Sequence, residues 1–331
     1  MLRPRILDDR LQLSSRLSIV FERTLRIPDD GSDYPLPPGL GAFPIRRVAD
    51  HPTRVPASWR ETGGFFIPMY QREAMWICFG GAHWRPNAVK VAAGGIDAIS
   101  GKPWDTALRA DAQNYVVVPD QPWLDGINAG EAYIRQFVAM PLGGGYTVEG
   151  QLTGRETVGG LQLAVFEPKP GRFPSRPPRR RRFGDAFALA DSGMPMVCEA
   201  AAGMEMGLGA GGRMRQQIYP DCHGIDTWDM GSVSTVHVHI ANSMMWREIT
   251  GEEPPPTPVS ARTYTEYGLP WFELYDEDRG DVAPSAELAG VKSIKDIDAA
   301  MFTRPQQDDA AVAVGADMTL VLKRLDAESL A

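Results

Sequence analysis

Two histidines one residue apart, His237 and His239 in TVHVHI, are the sharpest chemical pattern in this 331-residue chain. The segment alternates apolar and polar residues as a strand does. Successive strand side chains point to opposite faces, which puts both imidazoles on one face and Val236, Val238 and Ile240 on the other. Imidazoles at that spacing can ligate one divalent transition metal, provided further ligands converge on it. His223 is the first candidate for a third ligand, with Cys222, Asp226 and Asp229 also close in sequence. The competing expectation is a solvated or interfacial strand face on which the histidines bind nothing.

A second cluster lies in PDQPWLDGINAGEAYIRQ, where Asp120, Trp123, Asp125, Glu131 and Arg135 surround a proline- and glycine-marked turn. Carboxylates beside an indole can serve glycoside chemistry or hold a sugar. The structural expectation is that the aspartates accept backbone hydrogen bonds and Trp123 anchors the loop.

Gly207, Gly209 and Gly212 reproduce the spacing G-x-G-x-x-G. That fingerprint cradles a dinucleotide only where a strand feeds the first glycine and a helix opens after the third. Here CEAAAGMEM is a poor strand, and RMRQQIY has seven residues before Pro220 closes it. The expectation is therefore a glycine-rich turn or close-packed backbone, with Met204, Met206 and Met214 filling adjacent space.

Lys169, Arg172, Arg176, Arg179, Arg180, Arg181 and Arg182 form a basic run without an acidic neighbour between residues 168 and 184. Phosphate contacts through Arg179 to Arg182 would bind a polyanion, with Phe173 and Phe183 as stacking groups. A solvated loop is the preferred reading, and nucleic acid is not the expected partner. The formal net charge is −8, so the chain outside these seven residues carries −15 and is not a general coat for anionic surfaces. No Walker A, G-x-S-x-G or H-E-x-x-H motif is present.

The elements that must position these residues read as short strands. Candidates lie at 17–27, 74–79, 88–93, 114–118, 133–140, 234–240 and 318–325, and the pattern at 146–154 reads as another strand, joined to 161–165 by a hairpin at RETVGG. Short helices are expected near 8–17 and at 243–249, with a longer one over 285–302. The 34 glycines and 28 prolines favour turns over long helices. The fold class expected is mainly β, an antiparallel sandwich or barrel-like set of sheets. It divides into a β-rich part at 1–166, a Pro/Arg-rich linker at 167–185 and a second β-rich part at 186–331, and the two parts can pack as one unit.

Three cysteines, Cys78, Cys198 and Cys222, are too few and too scattered for a disulfide framework. With no secretory h-region and no apolar run approaching about 18 residues, the expected compartment is the cytoplasm.

The blocks VVVPDQPWLDGINAGEAYIRQFVAMPLGGGYTVEGQLTG (116–154) and GLGAGGRMRQQIYPDCHGIDTWD (207–229) resemble segments of a widespread family of uncharacterised microbial proteins. The resemblance implies no activity and carries no catalytic residue across. The functional expectation is a non-enzymatic, β-rich binding or assembly protein that self-associates or engages another protein. Its alternative is a metal-binding protein, or a metal-dependent enzyme, built on His237 and His239 and using a divalent transition metal as cofactor.

Overall fold

The computed structural model describes residues 4–177, 204–273, 279–301 and 310–321. Arg179 to Arg182 and Cys198 lie outside the described residues. The chain forms a 17-stranded, mainly antiparallel network that does not close into a barrel, with a few short helices around it. No helix among the described residues is long and apolar enough to cross a membrane.

The strand Tyr133–Pro141 runs between Ala74–Gly80 on one edge and Glu205–Arg215 on the other, antiparallel to both. Glu205–Arg215 then meets Ser234–Ala241 through Glu205↔Ala241 and Met206↔Ile240. Ser234–Ala241 in turn lies between Leu161–Phe166, antiparallel, and Phe65–Pro68, parallel. Leu161–Phe166 pairs with Asn87–Ala93, whose other edge carries Val116–Val118. Strands from either side of residues 178–203 are thus interleaved in one network.

Burial explains the strand patterns. In Ala74–Gly80, Met75, Ile77 and Phe79 face the main core, while Trp76 and Cys78 lie half-buried on the opposite face. Asn87–Ala93 is buried throughout because both its faces are covered. Val89, Val91 and Ala93 enter the main core, whereas Ala88 joins Tyr115, Phe166 and Trp228 in a second one. Lys90, fully buried, donates its ammonium protons to Asp105 Oδ1 at 2.9 Å and to the Asp105 and Ala107 carbonyls at 3.0 Å, and this ties the 105–107 loop to the strand.

Several local expectations change. Residues 146–154 are not a strand: Val148–Thr153 is a helix, capped by Thr147 Oγ1 accepting from Gly150 N and ended by Gly154 in the left-handed region. A Thr at N-cap with two glycines nearby overrides an alternation of only a few residues. RETVGG is accordingly no hairpin; Glu149 accepts the Thr157, Val158 and Gly159 N–H groups and folds that segment around its carboxylate. Near the start, Arg5–Leu7 and Arg10–Gln12 pair across Asp8 and Asp9, both at positive φ, so a two-residue hairpin replaces the expected helix. The helix over 285–302 is two helices, Ala286–Ala289 and Ile294–Ala300, because a new capping box forms at Ser293 and Asp296 after Gly290.

The glycine segment is also corrected. Glu205–Arg215 is an 11-residue strand rather than a turn, with neither a helix after its third glycine nor a positive φ at Gly207, Gly209 or Gly212. Its close packing matches the expectation: a Cβ on Gly209 would lie 2.8 Å from the Tyr146 carbonyl oxygen and 3.3 Å from Ile294 Cδ1. Missing side chains here let the Thr147 cap and the Ile294–Ala300 helix sit directly on the sheet.

Candidate metal centre

Asp120 follows the strand Val116–Val118, and Cys222 and His223 occupy the loop beyond Pro220. A buried hydrogen-bond system brings them together. Gln121 accepts from Tyr219 N at 2.9 Å and donates to the Trp123 and Gln217 carbonyls, clamping the two loop stems. Gln113 adds a donor to the Tyr219 carbonyl and an acceptor for Asp221 N. Asp221 then accepts Tyr115 Oη at 2.7 Å, Trp228 Nε1 at 2.8 Å and His223 N at 2.8 Å. All three donors are directed by one carboxylate, so the Cys222–His223 turn has a fixed course.

Asp120 Oδ2 lies 3.6 Å from His223 Nε2 and 3.9 Å from Cys222 Sγ, and the three atoms all fall within 4.8 Å of one another. Zinc ligated tetrahedrally, with Zn–S of about 2.3 Å and Zn–N or Zn–O of about 2.0–2.1 Å, spaces such atoms about 3.3–3.6 Å apart. Closure of the two Asp120 distances by a few tenths of an ångström would bring them to that spacing. A thiol, an imidazole and a carboxylate together suit a borderline-soft divalent ion better than magnesium or calcium, which take oxygen ligands.

The surroundings tune the ligands. Partial burial pushes the Cys222 thiol up, assisted by the Asp120 and Asp221 carboxylates and opposed by Arg279. The His223 ring meets Phe173 and Trp228 edge-on at 5.2 and 6.1 Å. Arg279 sits 3.4 Å from Asp120 Oδ1, donates to the Asp120 carbonyl at 3.2 Å and covers the Tyr219 ring at 4.7 Å.

The remaining residues singled out in the sequence lie elsewhere or face other partners. His237 and His239 do share a strand face, with ring centroids 6.4 Å apart. His239 Nε2 is 3.0 Å from the Gly63 carbonyl oxygen, which can only accept, so that nitrogen carries the proton. The ring stacks on Trp59 at 4.6 Å, and burial lowers its pKa to about 4; burial lowers His237 in the same direction. Among the described residues, the one group of three converging His, Cys, Asp or Glu ligands is Asp120, Cys222 and His223, so His223 is grouped with Asp120 and not with the histidine strand. Asp226 and Asp229 are not in that group either; Asp229 Oδ1 accepts Gly231 N at 3.0 Å.

Asp125 is buried and accepts from Gln216 Nε2 at 2.7 Å, and burial raises its carboxyl well above the usual range. Trp123 packs near Trp76 at 6.3 Å, and Arg135 lies 3.6 Å from Asp29. Sequence reading placed Asp120 with Trp123 and Asp125 and missed its convergence with Cys222, which stands 102 residues away. The adjacent Cys-His pair in a short loop was the available signal.

No family model, curated protein or solved structure matches the chain.

Proposed function

We propose that this chain is a β-rich binding protein whose bound species is a divalent transition metal, held by Asp120 Oδ2, Cys222 Sγ and His223 Nε2. The observation that supports it is the approach of three chemically different ligand atoms to within 4.8 Å on loops fixed by Gln113, Gln121 and Asp221. The reading takes up the metal that the sequence offered as its alternative and moves its centre from the histidine strand to the Asp120–Cys222–His223 loop. Zinc is the ion whose preferred ligands and spacing fit best.

Elemental analysis of the purified full chain tests this, with cobalt(II) titration as a spectroscopic companion. The expected result is one metal per chain and a thiolate-to-cobalt charge-transfer band, both lost in Cys222→Ser and His223→Ala and both retained in the double variant His237→Ala, His239→Ala. Metal retained by the first two variants and lost from the double variant would return the centre to the histidine strand.

A further inference from the structure

Three protein ligands leave one position of a tetrahedral ion open. Among the described residues, Arg279 is the cation in contact with one of these ligands. Arg279 is held beside Asp120 by its 3.2 Å hydrogen bond to the Asp120 carbonyl and by the Tyr219 ring beneath it. On the other side of the loop, Lys169 N donates to the Thr227 carbonyl at 2.8 Å, and Phe173 touches the His223 ring. The segment that passes His223 therefore carries Lys169, Arg172 and Arg176 and, from 168 to 177, no acidic residue. Of the acidic residues in the same loop, Asp221 is committed to Tyr115, Trp228 and the His223 backbone, and Asp226 stands three residues beyond His223.

The charge of the loaded site favours an anion as the fourth ligand. A divalent ion with one carboxylate and one thiolate is neutral as a unit. Ligation draws the charge of Asp120 toward the metal and loosens its hold on Arg279, so the guanidinium fork can turn part of its donor capacity to another acceptor. A guanidinium next to a metal with an open position suits an oxyanion that binds both, one oxygen on the ion and another on the N–H fork.

Resting on the metal centre proposed above, we infer that the loaded site binds a phosphate dianion, either inorganic phosphate or the terminal group of a phosphomonoester, between the metal and Arg279. No bond is made or broken; this is a recognition site. Lys169 and Arg172 supply a local positive field that draws the anion in, and their contribution is screened by salt.

The test uses the full chain loaded with one equivalent of cobalt(II), freed of excess metal and titrated in parallel with inorganic phosphate and with phenyl phosphate. The d–d absorption reports the fourth ligand. A saturable spectral change is expected, absent with perchlorate, and in Arg279→Gln, compared with the wild type at matched cobalt loading, it should be weakened at least tenfold. A response to inorganic phosphate alone assigns the free ion, and a response to both assigns the phosphomonoester class. Cobalt uptake without any response, or equal affinity in Arg279→Gln, overturns the phosphate site and leaves the metal centre standing. A chain that takes up no cobalt overturns both.

Discussion

Burial of the His239 ring, which lies on the face of Trp59, lowers its pKa to about 4, against the opposing effect of its Nε2 hydrogen bond to the Gly63 carbonyl. In the unfolded chain the same imidazole titrates at about 6.5. Folding therefore disfavours the bound proton, and the sign follows: the stability linked to this group is complete above pH 6.5, falls as the pH drops toward 4, and is constant below that. At about 1.4 kcal/mol for each pH unit between the two values, His239 alone accounts for a loss of about 3 kcal/mol across that window. Urea midpoints measured from pH 7.5 to 4 should show a steeper decline for the wild-type chain than for His239→Gln. Parallel declines in the two proteins would show that the carboxylates, not this histidine, govern acid stability.

The strand Glu205–Arg215 has Gly207 and Gly209 where the Thr147 cap, the Tyr146 carbonyl and Ile294 press against the sheet. Because Gly209 has no positive φ, the cost of Gly209→Ala lies in displacing a backbone carbonyl 2.8 Å from the new methyl group. Overpacking of this kind costs about 1–3 kcal/mol. Gly290 provides the contrast: it has φ −81°, and a Cβ there would lie 3.5 Å from its nearest neighbour, the Glu287 carbonyl oxygen, so Ala fits. Gly290→Ala should be neutral or stabilise by up to about 1 kcal/mol through the unfolded chain. Paired urea melts check both, and a Gly209→Ala protein as stable as the wild type would mean that the cap and the Ile294–Ala300 helix are free to move off the sheet.

Across the whole molecule, Glu205–Arg215 and Ser234–Ala241 are held by strands that precede residue 167. A nick introduced between residues 178 and 203, through an inserted protease site, should therefore leave two pieces that co-elute in native gel filtration and separate only in denaturant. Separation of the pieces under native conditions would mean that the two halves fold independently. The same interleaving ties the candidate centre to the fold, since its loops leave from Val116–Val118 on one side and from the end of Glu205–Arg215 on the other.

The sequence by itself determined the mainly β class, most of the principal strands and the shared face of His237 and His239, because strand periodicity and Gly/Pro punctuation are local properties. It also marked Cys222 and His223 as ligand types. It misread 146–154, where a Thr147 cap and an inward Glu149 outweigh a short alternation, and it could not see that the 207–212 glycines lie within a strand. Only the tertiary structure decided which side chains meet: it joined Asp120 to a Cys-His pair about a hundred residues away and committed His239 to a carbonyl and an indole. Those outcomes depend on which strands neighbour one another in the sheet, and that order is set by packing between segments distant in the chain rather than by any local pattern.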